Sequence, residues 1–354
     1  MPLPQGMQSY STLPGSSKGS PEAPPNGYLK YSPVAVLGFT MGCFFIGQTS
    51  SSSGAMPMLS AATEQHPHLV VGLPDLPQEY TGKQFAGFVP TNDKHPELDS
   101  HLFYWLLESE KSASKSALDS PLPLVIWLNG GPGASSLTGV LLENGPFRLN
   151  ADSSLTYNEY GWTQEAHMVA IDQPVGAGFS YTSTEDIEGE GYVNSLDEMA
   201  EQLYSGIVNL LDLHPWLEDS PIYISGESYA GKYIPAISHY IHTQGNLNLA
   251  GIAIGNGQLK PYTAYASTPD YLHNLGLIDD KQQQWAHEAL VECKAQVDSE
   301  AWVDAFKTCQ DIEDKLFSDF VQIPFIYDIR EKSDIFTDCK FCELRIANCD
   351  ARRI

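Results

Sequence analysis

Apolar residues fall in short runs separated by polar, Gly- and Pro-rich stretches. Leu122–Leu128 (LPLVIWL), Met168–Ile171 and Leu249–Ile254 are almost unbroken apolar runs. Runs that short predict strands inside a sheet rather than helices. Phe85–Val89 and His101–Leu107 read as two paired strands opening that sheet. Ile222-Tyr223-Ile224 is a further strand run, entering the turn Ser225-Gly226-Glu227-Ser228-Tyr229-Ala230-Gly231, with a helical stretch from Tyr233 to His242 behind it. Ser195-Leu196-Asp197-Glu198 is a capping box. Leu196, Met199, Ala200, Leu203, Tyr204, Ile207, Leu210 and Leu211 then keep helical spacing. Alternating strands and helices predict an α/β fold with a mostly parallel sheet and right-handed crossovers.

The pattern changes at both ends. Leu69–Gln84 is a Pro-rich extended entry, so the sheet-forming region is read as residues 69–258. Beyond Gly257 no buried-strand run continues the sheet. Tyr271–Phe317 is helix-like, with Trp285, Leu290, Trp302, Ala305 and Phe306 as expected buried positions. Residues 259–354 are read as a helical insertion or lid, looser after Phe320. At the other end, residues 1–32 are rich in Pro, Ser and Gly and are expected to be disordered. Pro33–Gly47 is an apolar run preceded by Lys30, too short for a membrane span and suited to a signal-peptide core. Residues 33–62 are therefore read as a signal peptide first and an uncleaved signal anchor second, with a buried core segment as the remaining alternative.

The chain has 354 residues, 42% of them hydrophobic, enough for a sizeable core. Its formal net charge is -25 and its pI about 4.5. A surface that acidic repels a phosphate backbone and argues against nucleic-acid binding. It suits a protein working in an acidic compartment, and equally an ordinary soluble acidic protein. There is no internal repeat and no Asn-x-Ser/Thr acceptor site.

Two stretches carry candidate chemistry. Around Ser228 the pattern is small–x–Ser–x–small, with Gly226 and Ala230 flanking the serine and Gly231 behind. A turn of this kind between strand and helix presents a serine hydroxyl as a nucleophile. The simpler alternative is a serine that caps the helix. Asn129–Ser136 (NGGPGASS) follows the strand run Leu122–Leu128 and opens a helix. Gly-rich loops leave backbone N–H groups free to face an anion. A phosphate loop would need a Lys-Ser/Thr pair, which is absent, so an oxyanion-binding loop fits better.

Trp127–Ser136 (WLNGGPGASS), Glu143–Phe147 (ENGPF), Asp172–Tyr181 (DQPVGAGFSY), Gly226–Pro235 (GESYAGKYIP) and Gly251–Gly257 (GIAIGNG), in this order, closely resemble the serine carboxypeptidases. Tyr271–Lys315 looks most like the vitellogenic-carboxypeptidase-like branch of that family. The resemblance covers roughly residues 70 to 350. It implies an α/β-hydrolase fold with a helical lid, and release of the C-terminal residue of peptides without a cofactor. It makes Ser228 the nucleophile, and the backbone N–H groups of Gly131 and Tyr229 the oxyanion hole. It assigns the substrate's terminal carboxylate to Trp127, Asn129, Glu143 and Glu227. Two glutamates facing a carboxylate repel it unless a proton is shared, so peptide binding is expected to favour acid pH. Taken singly, a glutamate reads as a solvated surface residue, but Glu227 stands immediately before the serine in a sharp turn, which argues against that reading there.

The resemblance also exposes a gap. In this fold the triad order is Ser, Asp, His. After Ser228 the histidines are His239, His242, His273 and His287, and none matches the family's catalytic motif. His167, before Asp172-Gln173-Pro174, only superficially resembles it. The catalytic Asp and His, with the last strands of the sheet, are expected beyond Ile354, so the chain as it stands is expected to be inactive. A non-catalytic peptide-binding protein and an acyltransferase on the same scaffold are the alternatives. The expected location is the secretory pathway, either a vacuole or lysosome or outside the cell, with membrane contact only through an uncleaved anchor. Cys293 and Cys309 are a plausible pair, while Cys339, Cys342 and Cys349 leave an odd thiol. A zinc site on those last three competes, but no metal is expected. Gly133-Ala134-Ser135-Ser136 stands where the family usually has Gly-Cys-Ser-Ser, so the disulfide normally anchored there is absent.

Overall fold

The computed structural model describes residues 66–91, 96–114, 121–150, 152–183, 191–322 and 330. The expected disordered segment 1–32, the leader 33–62 and the cysteines Cys339, Cys342 and Cys349 lie outside them.

The chain builds β1 (Gln84–Pro90), β2 (His101–Leu107), β3 (Leu124–Leu128), α1 (Leu137–Leu142), β4 (Phe147–Leu149), β5 (Leu155–Tyr157), β6 (His167–Ile171) and α2 (Leu196–Leu213). It continues with β7 (Ile222–Glu227), α3 (Ala230–Gln244), β8 (Leu249–Gly255), α4 (Pro261–Asn274), α5 (Asp280–Asp298) and α6 (Trp302–Lys315). Six strands form one sheet in the order β1-β2-β6-β3-β7-β8. The pairs β3–β6, β3–β7 and β7–β8 are parallel, whereas β1–β2 and β2–β6 are antiparallel. The fold is an α/β-hydrolase fold.

Two of the three apolar runs, β3 and β6, become central strands for the expected reason. Every residue of β6 is buried, as are Leu124, Ile126, Trp127 and Leu128 of β3. One face of the sheet packs Ile126, Ile171 and Ile224 against Leu203 and Ile207 of α2 and Ile234 and Ile237 of α3. The other face packs Trp105, Trp127, Met168 and Phe147. The expected capping box of α2 forms only in part: Ser195 Oγ accepts from Glu198 N–H (3.2 Å), but the Glu198 carboxylate accepts from Asn194 N–H (2.7 Å), one residue before the cap, instead of from Ser195 N–H. β8 is the edge of the described sheet, with Ala250, Ile252, Ala253 and Gly255 exposed.

α4, α5 and α6 enclose an apolar cluster of their own, including Leu272, Ile278, Ala286, Leu290, Ile312 and Leu316. Cys293 and Cys309 form a disulfide between α5 and α6. Leu290 and Ala305 are buried as expected, and Trp285 is half-buried. Trp302 and Phe306 are not: each is 62% exposed. α6 turns Ala305, Cys309, Ile312 and Leu316 toward α5, and at 3.6 residues per turn Trp302 and Phe306 fall outside that arc. The β4–β5 hairpin was not anticipated, because three-residue strands leave too short a pattern to read.

Candidate active site

The register of the sheet assembles the site. β3 and β7 run parallel with Leu128 beside Gly226, so Asn129 leaves β3 next to Glu227 as β7 ends. β7 and β8 pair with Glu227 beside Gly255. The turn after β7 is tied down from both sides. Ser228 N–H donates to Gly255 O (3.1 Å), and Gln258 N–H donates to Ser228 O (2.9 Å).

Within that turn Ser228 has φ of 58°, a left-handed conformation that a serine rarely adopts. α3 begins at Ala230 with Tyr229 as its N-cap and no side-chain cap bond, so Ser228 is not a capping serine. Strain held in place by surrounding hydrogen bonds is characteristic of a nucleophile elbow. Because glycine relieves this strain and alanine does not, Ser228→Gly is expected to be more stable than Ser228→Ala by about 1 kcal/mol. Urea midpoints of the two variants measure it, and equal midpoints would show an unstrained turn.

The Gly-rich loop lies against this elbow. Asn129 N–H donates to Ser136 Oγ (3.1 Å), and Gly133 N–H donates to Tyr233 Oη (3.2 Å). Among the described residues, the N–H groups of Gly131 and Tyr229 have no protein acceptor. Ser135 Oγ (2.7 Å) and Ser136 N–H (2.9 Å) both donate to Asp172 Oδ1, and Phe179 N–H donates to Oδ2 (2.9 Å). Burial raises the Asp172 carboxyl above the usual range, while these donors pull it down. The Asp172–Tyr181 motif was legible from sequence, but the role of Asp172 in holding the loop was not. Tyr233 was missed as a loop contact because it read only as a helix residue.

Trp127, Asn129, Glu143 and Glu227 come together. Trp127 Nε1 donates to Asn129 Oδ1 (2.8 Å), which also accepts from Gly139 N–H (3.0 Å). Asn129 Nδ2, so fixed, donates to Glu227 Oε1 (3.1 Å). Glu227 in turn hydrogen-bonds Glu143. Arg148 holds the segment carrying Glu143, donating to Leu142 O (3.1 Å) and Glu143 O (3.5 Å). Glu143 reaches solvent, yet its pKa is pushed up to about 7 by partial desolvation, by the Glu227 charge and by their hydrogen bond. Below about pH 7 Glu143 therefore carries a proton beside Glu227, in the pocket where sharing with a substrate was expected.

No histidine bonds Ser228 among the described residues. His239 and His242 are exposed on α3. His273 pairs with Asp280 (2.7 Å) and His287 with Asp270 (2.9 Å), both within the α4–α5 region. His167 is a core residue of β6, its Nδ1 accepting from Ser109 N–H (3.1 Å). No group of three or more His, Cys, Asp or Glu among the described residues is placed to hold a metal ion.

Residues 74–348 match the family described as serine carboxypeptidase. The vitellogenic carboxypeptidase of Aedes aegypti is 40% identical over 200 residues, 56% of this chain and 40% of that protein. The venom serine carboxypeptidase of Apis mellifera is 36% identical over 251 residues, 69% of this chain and 50% of that protein. The crystal structure of the prohormone-processing carboxypeptidase Kex1 from Saccharomyces cerevisiae superposes with a TM-score of 0.58 at 30% identity, covering 67% of this chain and 53% of that one. The chain spans about half the length of the curated relatives it matches.

Proposed function

The chain belongs to the serine carboxypeptidase family, and on that premise we propose that it binds the free C-terminal carboxylate of peptides at Asn129, Glu143 and Glu227. The observation that carries this reading is the hydrogen-bonded series Trp127–Asn129–Glu227–Glu143 ending against the strained Ser228. Below pH 7 the glutamate pair keeps one proton, so it offers a donor and a reduced negative charge to an incoming carboxylate. In the carboxypeptidase reaction Ser228 Oγ attacks the last peptide carbonyl, and its proton passes to a general base. The N–H groups of Gly131 and Tyr229 take up the charge developing on the carbonyl oxygen, a contribution of about 3 kcal/mol per donor. The C-terminal residue then leaves as an amine carrying the proton, and water hydrolyses the acyl-serine.

With no histidine on Ser228 among the described residues, a second reading is that the 354-residue chain binds such peptides and turns them over poorly. One experiment serves both readings. The whole chain is titrated calorimetrically with an N-blocked dipeptide and its C-terminal amide from pH 5 to pH 8, and the mixtures are assayed for free C-terminal residue. The carboxylate peptide is expected to bind tightest near pH 5. Its affinity falls as pH rises through about 7, the value of the Glu143 carboxyl, with a limiting slope of about tenfold per pH unit. The amide should show a flat profile, as should Glu143→Gln with either peptide. Release of the C-terminal residue decides for the enzyme, and binding without release for the non-catalytic reading. Parallel pH curves for the two peptides would remove the carboxylate pocket.

A further inference from the structure

Three histidines and a tyrosine meet where residues 66–70 run along the outer edge of β1. Val70 N–H donates to Gln84 O (2.9 Å), Ala86 N–H donates to His68 O (2.9 Å), and Leu69 forms a bridge with Phe85. His66 Nε2 lies 3.1 Å from Leu213 O, and His66 Nδ1 accepts from His68 N–H (3.1 Å). The His66 ring stacks on that of His214, with centroids 4.6 Å apart. Tyr104 Oη stands between the other two, 2.7 Å from His68 Nδ1 and 2.8 Å from His214 Nε2. The His68 ring crosses β1 at Gly87, where any Cβ would come within 2.4 Å of Nδ1.

These contacts select one protonation pattern. Leu213 O is an acceptor and His68 N–H a donor, so His66 is neutral with its proton on Nε2. Tyr104 has a single proton and can donate to only one histidine. His214 Nδ1 is buried without a partner among the described residues. A buried lone pair without a partner is tolerated better than a buried N–H without one. His214 therefore carries its proton on Nε2 and donates to Tyr104 Oη, which donates to His68 Nδ1. A further proton has no good place. On His68 it leaves the Tyr104 hydroxyl between two donors, on His214 it creates a buried N–H with no acceptor, and on His66 it faces the His68 N–H.

Among the described residues, the elements packed around the cluster supply no compensating charge. Phe85 of β1 and Trp216, which follows α2, present uncharged rings to His66 and His214. Beyond Trp216 the next titratable group is His167, held neutral by its burial with a pKa of about 4. No carboxylate hydrogen-bonds any of the three histidines among the described residues.

We propose that residues 66–70 are an acid-released strap, held on the edge of β1 by the His66–His68–Tyr104–His214 network and let go when His68 and His214 take up protons. Burial lowers His214 from the usual 6.5 to about 4, reinforced by His66 and His68, and burial also lowers His68. A histidine whose pKa is depressed by folding stabilises fully above 6.5, and that contribution is lost as pH falls from there toward 4. The strap is thus closed at neutral pH. Below about pH 5.5 it opens, freeing the β1 edge and exposing residues 66–70.

Hydrogen exchange of the full chain, followed by mass spectrometry at pH 7 and pH 5 with intrinsic rates corrected, tests this independently of any peptide chemistry. Protection at Val70 and Ala86 is expected to fall by about tenfold or more at pH 5, while amides in β3 and β7 keep theirs. In His68→Gln/His214→Gln, whose amides replace the acceptor and the donor to Tyr104 without titrating, strap protection should be the same at both pH values. If the double variant does not fold, His214→Gln alone should show a reduced acid response by the same readout. Unchanged protection of the unmutated strap, loss spread evenly into β3 and β7, or an undiminished acid response in the folded glutamine variant would each overturn the proposal.

Discussion

Asp172→Ala is expected to cost about 3 kcal/mol of folding stability and to remove peptide binding. Asp172 is fully buried just after β6, and one carboxylate oxygen receives both Ser135 Oγ and Ser136 N–H while the other receives Phe179 N–H. Alanine leaves those donors without an acceptor, and an unsatisfied buried donor costs about 1–3 kcal/mol. The damage spreads along a defined path. Ser136 Oγ accepts from Asn129 N–H, and Asn129 orients Glu227. Asp172→Asn should lose roughly half as much, because its remaining oxygen still accepts from the two serines while its NH2 faces the Phe179 N–H. Urea denaturation gives the stabilities and calorimetry the affinities. A stability loss under about 0.5 kcal/mol for alanine would mean that Tyr233 and Ser136 hold the loop without Asp172.

Gly130→Ala is expected to abolish both binding of the carboxylate peptide and any turnover, at a stability cost of about 1–3 kcal/mol. A Cβ at Gly130 would stand 2.5 Å from Tyr229 N, 2.8 Å from Glu227 O and 2.8 Å from Ser228 Cβ. Two of those three atoms are backbone, so no side-chain rotation relieves the clash, and loop and elbow must separate. Separation moves Gly131 N–H away from Tyr229 N–H and Asn129 away from Glu227 together. Peptide affinity and thermal melting of the variant check this. Wild-type affinity would show that the loop does not abut the elbow in solution.

Much of the framework was legible because it rests on local pattern. All of β6, most of β3, and Ile222 and Ile224 of β7 are buried because central parallel strands are covered on both faces, whereas Tyr223, beside Gly251 of the edge strand β8, is exposed. The cap before α2 is likewise local: Ser195 caps the helix as read, while Glu198 reaches Asn194 N–H instead of Ser195 N–H. The turn at Ser228 was readable because its sharpness restricts which side chains can flank it. The β4–β5 hairpin was hidden by its brevity, and Trp302 and Phe306 were misplaced because periodicity gives the phase of a helix without saying which arc meets a neighbour.

By itself the sequence determined the fold class and the elbow with its nucleophile candidate, since these depend on residue type at fixed spacing, while Trp127, Asn129, Glu143 and Glu227 were singled out only by the family resemblance. The tertiary structure alone decided how those residues meet. Asn129 and Glu227 are 98 positions apart, and only the β3–β7 register brings them into contact. It alone decided that the Glu143 carboxyl is pushed up to about 7, because that depends on its desolvation and its separation from Glu227. It also decided that His66, His68 and His214 converge on Tyr104. His66 and His214 are 148 positions apart in sequence and meet because residues 66–70 lie along β1 beside the end of α2. Spacing along a chain reports local geometry, whereas protons are shared and charges buried across distances that only packing sets.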